Sequence, residues 1–216
     1  MRRVAVKQLP LFAKPPSAKR PRRGRPKKPG SGLPHLRRPA VSPNHPHHVT
    51  IRMREGTWNL RSQRCFAEIA AALEVVRDRR DLRVVHYSVQ GNHLHFLIEA
   101  DDRRAMSNGI RALLISMARR LNRLMRTSGS RYRDRFHERA LTSPSSVRTA
   151  LKYVLTNASH HHRAPLVDPY SSGPWFSGWA PVVQFPKWTP VTGPPTSEPD
   201  SWVLKHGWRR AGRFLA

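Results

Sequence analysis

Two adjacent apolar stretches joined by a short turn constrain the fold of this chain more than any other feature. LRVVHYSV at 82–89 is rich in β-branched and aromatic residues, QGN at 90–92 has the composition of a turn, and HLHFLIEA follows at 93–100. Two strands connected this closely pair in the antiparallel sense. The sequence therefore predicts an antiparallel sheet that contains this β-hairpin.

A strand and a helix are predicted before the hairpin. HVTIRMR, starting near His48, alternates with a period of two, which places Val49, Ile51 and Met53 on one face of a strand. Ser62 can cap a following helix. The apolar residues of that helix recur at helical spacing, namely Phe66, Ile69, Ala70, Leu73 and Val76.

Two helices and a short strand are predicted after the hairpin. Asp101 and Asp102 suit the start of a helix whose apolar stripe is Met106, Ile110, Leu113, Met117, Leu121 and Leu124. RFHERALT at 135–142 indicates a strand, and Ser143 with Pro144 opens a third helix. The order βαββαβα predicts an α+β, ferredoxin-like sandwich in which helices cover one face of an antiparallel sheet and leave the other available.

The two ends of the chain differ in composition from its middle. Residues 1–45 contain many Lys, Arg and Pro and no acidic residue, which predicts a disordered basic arm. Residues 46–162 form the predicted folded domain, and 163–216 a Pro- and Trp-rich C-terminal extension that wraps it. Trp175, Trp179 and Trp188 can stack on unpaired bases or anchor the extension, and their spacing among prolines favours anchoring.

The charge of the chain favours a polyanionic partner. Forty Lys and Arg against thirteen Asp and Glu give +27, and nucleic acid is the leading candidate, since the basic arm lacks the amphipathic pattern of a membrane-surface helix. The single cysteine, Cys65, excludes an intrachain disulfide, and no apolar run reaches membrane-spanning length, so a cytoplasmic, nucleoid-associated protein is expected. The arginines predicted to follow a phosphate backbone are Arg111, Arg119, Arg120, Arg123, Arg126, Arg131, Arg133 and Arg135.

The histidine pair of the second hairpin strand is the first candidate for chemistry. Residues two apart on a strand share a face, so His93 and His95 project side by side, while Leu94, Phe96 and Ile98 enter the core. Such a pair either chelates a divalent ion or forms a hydrogen-bonded structural pair, and the spacing leaves both open. Six other histidines carry no catalytic role in this interpretation. Those at 45, 47 and 48 are interpreted as linker residues, and those at 160–162 as groups that complement a helix dipole or contact phosphate.

The third predicted helix supplies a second candidate. LKYVLTN places Tyr153 and Asn157 one turn apart on one helical face, beside a buried stripe of Val147, Leu151, Val154 and Ala158. A phenol can attack phosphorus when a cation polarises the phosphate, and an amide oxygen can complete a metal site. Packing at the edge of the core is the alternative role of Tyr153.

These motifs together resemble a known family. His93-Leu94-His95 is similar to the HUH motif, and YVLTN is similar to the tyrosine-bearing helix of single-tyrosine HUH transposases. More narrowly, the stretch from about His48 to Asn157, which includes RYRDRFHERAL, resembles the REP-associated tyrosine transposases. The chain departs from the family pattern in two places: Ala rather than Pro follows Asn157, and no Pro precedes Asn92.

The resemblance implies a ferredoxin-like catalytic domain over 46–162 and a specific reaction. Tyr153 would attack single-stranded or hairpin DNA and leave a 5′-phosphotyrosine and a free 3′-hydroxyl, with His93, His95 and Asn157 as ligands of Mg²⁺ or Mn²⁺. Monomer and homodimer both stay open. Two other classes also remain: a non-catalytic nucleic-acid-binding protein, and a metal-independent phosphodiester enzyme that uses two histidines as acid and base.

Overall fold

The described part of the chain follows the predicted element order. The structure, a computed structural model, describes residues 38–162 and 167–211, with side chains for 38–157 and 167–210, so that most of the predicted basic arm and the side chains of residues 160–162 lie outside it. The main elements are β1 (His47–Arg52), α1 (Gln63–Arg77), β2 (Leu82–Val89), β3 (His93–Ala100), α2 (Arg103–Met125), β4 (His137–Ala140), α3 (Pro144–His162) and α4 (Trp202–Lys205). None of the helices in these ranges combines the length and hydropathy needed to span a bilayer.

The four strands form one antiparallel sheet in the order β2-β3-β1-β4. β3 and β1 therefore occupy its centre. The β1–β3 register places Thr50 opposite His95 and Arg52 opposite His93, and the β1–β4 register places Thr50 opposite His137. Directly opposed residues share a face of the sheet, so these side chains lie on one surface. The predicted α+β, ferredoxin-like fold is confirmed.

Helices α1 and α2 cover the other face of the sheet. Their buried stripes pack on Val49, Ile51, Leu94, Phe96 and Ile98. The predicted caps are present: Ser62 Oγ accepts a hydrogen bond from the Cys65 amide at 3.3 Å, and Asp102 Oδ1 accepts one from the Ala105 amide at 2.7 Å. Helices α1 and α2 therefore each have a capping hydrogen bond at the N-terminus, at the positions that the sequence indicates.

The expectation that one face of the sheet is left available is wrong for half of that face. Helix α3 and the C-terminal extension pack on β2 and β3, where Val85 and Leu97 join a second buried cluster with Leu151 and Val154. The cause is that β2 and β3 carry apolar side chains on both faces, and apolar area on the second face is stabilised only when it is covered. The β1–β4 half of the face keeps its polar residues.

The C-terminal extension is tied to the domain by buried charge as well as apolar contacts. Glu99, fully buried on β3, accepts hydrogen bonds from the Ser201 amide and hydroxyl and from the Asp200 amide. Arg61 forms a bidentate pair with the buried Asp168 at 2.7 and 2.9 Å. Buried carboxylates require such partners. The extension is therefore specifically docked over 167–210.

The predicted anchoring role is confirmed for Trp179 and Trp175. Trp179 is buried, packs edge-on against Phe176, and donates its indole N–H to the Gly173 carbonyl at 2.9 Å. Trp175 packs against the α1–α2 cluster. Trp188 contacts the ring of Tyr170 edge-on but stays half exposed. Trp208, which the sequence reasoning did not single out, is buried more deeply than any of them.

The contact of the extension with β2 makes stability depend on pH through His86. His86 Nδ1 lies 3.1 Å from Ser172 Oγ, and its ring meets Phe176 edge-on. Burial lowers the pKa of His86 to about 4. The unfolded chain, whose histidines titrate near 6.5, binds the proton more readily, so acidification from about pH 6.5 to pH 4 favours unfolding.

Replacing His86 with Gln is therefore expected to reduce the acid sensitivity of the fold. Urea denaturation at pH 7 and pH 4.5 measures the free energy of unfolding at each pH. The loss between these two pH values is expected to be smaller in the variant by about 2 kcal/mol. An equal loss in wild type and variant would show that His86 is not neutral and buried in the folded state.

Candidate active site

His95 lies at the centre of the polar side chains on the α3 face of the sheet. It is buried at 3% exposure. Its Nδ1 is 3.1 Å from Thr50 Oγ1 and 3.1 Å from His48 Nε2, both on β1. These contacts hold the ring so that Nε2 faces α3, where it lies 3.5 Å from the Tyr153 hydroxyl. The predicted strand face and the predicted helix therefore meet at this atom.

His93 is partly exposed beside His95. The two rings are nearly perpendicular, at 88°, with centroids 4.9 Å apart. His93 Nδ1 lies 2.8 Å from Asn92 Oδ1. With the amide oxygen as acceptor, Nδ1 is the donor, and Nε2 of a neutral ring then has the lone pair that a metal needs. A partner that fixes the tautomer in this way is typical of metal-binding histidines.

Tyr153 projects from α3 beside the buried stripe rather than within it. Val147, Leu151 and Val154 are fully buried, whereas Tyr153 is 44% exposed. The phenol ring meets the His95 ring edge-on, with centroids 5.0 Å apart. Tyr153 also lines a cleft of about 440 Å³ that runs along the first half of α3 past His48, Arg139 and Thr149. The residue thus borders an open cleft and its hydroxyl faces an imidazole, an arrangement that suits a nucleophile.

A third imidazole, His48, was missed by the sequence reasoning. The interpretation of His47 and His48 as linker residues is wrong, since both belong to β1. The His48 ring lies 5.2 Å from His95 and 5.6 Å from Tyr153, centroid to centroid. Burial lowers the pKa of His48 to about 4, with smaller contributions from His137 and Arg139. His48 is therefore neutral at physiological pH and can act as a hydrogen-bond partner of His95.

A metal site at the histidine pair would need further ligands besides the two imidazoles. Within the described residues, no three His, Cys, Asp or Glu side chains are grouped so as to hold an ion. A site at His93 and His95 therefore needs a ligand of another type. Asn157, one turn after Tyr153, is 2% exposed, and its buried Nδ2 has no hydrogen-bond partner. Turning the amide over would put Oδ1 in that position. Asn157 stays the predicted third ligand, since two imidazoles with an amide oxygen suit an ion such as Mn²⁺.

The predicted DNA-binding arginines lie on both sides of the molecule. Arg133 and Arg135 line a pocket with Thr50 and His137, on the face of His95. Arg131 donates to the Ser128 carbonyl. The remaining five lie on α2 or at its end: Arg111, Arg119, Arg120, Arg123 and Arg126. Arg111 lines a second pocket that it shares with Arg135.

Among the α2 arginines, Arg120 is paired with Glu68 at 3.4 Å, and Arg126 adopts a left-handed conformation that ends the helix. The prediction omitted two arginines on the histidine face, Arg52 and Arg139. The predicted set is therefore divided between the histidine face and α2, and Arg135 borders both.

The chain is similar to a known protein in fold but not detectably in sequence family. No family model matches the chain, and no curated protein matches it. Among solved structures, it is similar to a REP-associated tyrosine transposase bound to a REP hairpin, with a TM-score of 0.54 and 16% identity over 74% of this chain and 96% of that chain. At this identity the similarity establishes a shared fold. The fold relationship expected from the sequence is confirmed, and membership of the family remains a prediction.

Proposed function

We propose that this protein is a single-stranded DNA endonuclease and strand transferase of the HUH type, with Tyr153 as its nucleophile. The observation that carries the proposal is the position of the Tyr153 hydroxyl, 3.5 Å from His95 Nε2, on a residue that is 44% exposed. His95 and His93 come from a central strand, and Tyr153 comes from the last helix of the sheet domain. The fold shared with the REP-associated tyrosine transposase supports the same assignment.

The other tyrosines of the chain do not offer a comparable hydroxyl. The sequence contains four tyrosines. Tyr87 is fully buried, and burial raises the pKa of its phenol. The Tyr132 hydroxyl donates to the Leu114 carbonyl at 2.6 Å. Tyr170 packs against Phe66 of α1, on the side away from the histidines. Tyr153 is therefore the tyrosine on which the proposal rests.

The proposed reaction is a transesterification. The Tyr153 oxygen forms a bond to phosphorus, and the bond between phosphorus and the 3′ oxygen breaks. The phenol loses its proton, and the leaving oxygen gains one as a 3′-hydroxyl, so the number of phosphate ester bonds is unchanged. The 3′-hydroxyl can reverse the step, and no nucleotide cofactor is needed.

The roles of the surrounding residues follow from their contacts. His93, His95 and Asn157 would hold the divalent ion, and Thr50, His48 and Asn92 would orient the two imidazoles. Mg²⁺ or Mn²⁺, when bound, supplies Lewis-acid stabilisation of the charge that develops on the phosphate. The buried surroundings of His95 strengthen the interactions of its ring.

The proposed substrate is hairpin-containing single-stranded DNA. The net charge of +27 fits a nucleic-acid partner. The structurally similar REP-associated tyrosine transposase is bound to a REP hairpin, which supports a folded single strand as the class of ligand. We place the protein with the DNA of the cytoplasm, where it would act as a monomer or a homodimer.

The experiment that tests this proposal is covalent capture. End-labelled single-stranded hairpin oligonucleotides from the flanking genomic repeats are incubated with protein and Mn²⁺, then separated by denaturing electrophoresis. A labelled protein band is expected, and a chelator should remove it. DNA binding without cleavage would instead indicate a non-catalytic nucleic-acid-binding protein. Cleavage that survives the chelator without an adduct would instead favour acid–base catalysis by the histidines.

A further inference from the structure

A basic pocket adjoins the histidines on the uncovered half of the sheet face. It has a volume of about 270 Å³, and its lining residues are Thr50, Arg52, Arg133, Asp134, Arg135 and His137. Thr50 belongs to both places, since its hydroxyl also contacts His95 Nδ1 at 3.1 Å. Thr50 therefore joins the pocket to His95, whose Nε2 faces Tyr153.

The backbone holds two of these arginines directly opposite each other. Met53 and Tyr132 form an antiparallel bridge, and the Arg133 amide donates to the Arg52 carbonyl at 3.0 Å. Arg52 and Arg133 are the next pair in this register, so their side chains share a face. Like charges opposed across two strands are destabilising. An anion bound between the two side chains would remove this repulsion.

The acidic residues of the chain neutralise arginines elsewhere. Glu138 pairs with Arg38 and Arg103, and other carboxylates hold Arg61 and Arg83. Arg52 and Arg133 are exposed and form no ion pair within the described residues.

One carboxylate does lie in the pocket wall. It belongs to Asp134, and its Oδ1 accepts from the Arg135 amide at 2.7 Å. Three arginines against one carboxylate leave the pocket positively charged.

We propose that this pocket binds a backbone phosphate of the DNA strand whose phosphodiester Tyr153 attacks. The inference rests on the proposed function for the identity of the strand. Guanidinium groups bind phosphate through paired hydrogen bonds, and the strand bridge fixes the spacing of the two main-chain positions from which they extend. The DNA would then cross the β1–β4 half of the sheet face and approach Tyr153 from the side of Arg52.

The salt dependence of binding tests this subsite. Metal-free Tyr153→Phe protein, in which cleavage is removed, is titrated with fluorescent single-stranded oligo(dT) of twenty nucleotides at several NaCl concentrations. Each lost phosphate contact reduces the slope of log affinity against log salt by about 0.7. Because the pocket holds one phosphate, the double variant Arg52→Gln and Arg133→Gln is expected to reduce the slope by about 0.7. Arg52→Lys with Arg133→Lys keeps the charge and should preserve most of the slope.

A charge-matched control separates the pocket from general electrostatics. Arg77 and Arg80 are exposed at the end of α1, on the opposite side of the sheet, and Arg77→Gln with Arg80→Gln removes the same charge. This pair should leave the slope unchanged, with thermal melting used to verify the fold of each variant. The subsite would be overturned if the slope changed equally in both double variants, or if it changed in neither. If the wild-type protein forms no covalent adduct, the proposed function fails. The comparison of slopes still stands in that case, because it measures binding alone.

Discussion

Replacing Tyr153 with Phe is expected to abolish strand cleavage and the covalent protein–DNA adduct. The substitution removes only the hydroxyl that lies 3.5 Å from His95 Nε2, while the ring that contacts His48 and His95 stays. Since the residue is 44% exposed, the loss of the hydroxyl should change the free energy of unfolding by less than about 0.5 kcal/mol. Activity should fall by at least about a thousandfold, because no other described tyrosine offers its hydroxyl at the histidines.

The matched control for this variant is Tyr170→Phe. It removes the same hydroxyl group from a ring that packs on Phe66, on the α1 side of the sheet, and should retain wild-type adduct formation. Affinity for single-stranded DNA, measured by fluorescence anisotropy without metal, should be the same for both variants. Wild-type amounts of adduct from the Tyr153→Phe protein would exclude Tyr153 as the nucleophile.

The element order of this fold could be predicted because each element has a local signal. Ser62 and Asp102 cap their helices where the sequence places them, and the hairpin at 82–100 follows from composition and a short turn. The coverage of the second sheet face could not be predicted in this way. It depends on contacts between Leu97 and residues such as Leu151 and Trp208, which are distant in sequence and share no periodic pattern.

The candidate site was predictable where its residues share one element. His93 and His95 are related by the period of a strand, and Tyr153 and Asn157 by one helical turn. His48 was missed because its contact with His95 depends on the register of β1 against β3. One signal was present: the alternation of HVTIRMR places His48 on the face opposite Val49, away from the α1–α2 core.

The arginines that face the candidate site could not be predicted either, because their positions also depend on strand pairing. Counting basic residues along α2 identifies a charged helix, but not the side of the sheet on which it lies. The opposition of Arg52 and Arg133 arises from a bridge between the end of β1 and the loop before β4. Such a pair has no signature in the order of residues. Pairing across strands therefore decides which basic residues face the candidate site.

Replacing His93 with Ala is expected to weaken Mn²⁺ binding and metal-dependent cleavage together. Loss of a residue that merely orients a metal ligand commonly costs 10–100-fold in affinity, so loss of the ligand itself should cost at least about 100-fold. Electron paramagnetic resonance of Mn²⁺ titrated into the protein measures this independently of activity. His206→Ala, which removes an exposed imidazole beyond α4, is the matched control and should bind Mn²⁺ as wild type does.

The neighbouring Asn92 allows the metal role to be separated from a role in proton transfer. Asn92 Oδ1 accepts from His93 Nδ1 and so keeps the lone pair on Nε2. Asn92→Ala should therefore weaken Mn²⁺ by about tenfold, less than His93→Ala, with cleavage restored at higher Mn²⁺ concentration. If His93→Ala instead binds Mn²⁺ with wild-type affinity yet fails to cleave, His93 acts on protons rather than on metal, and the reaction belongs with the acid–base phosphodiester enzymes.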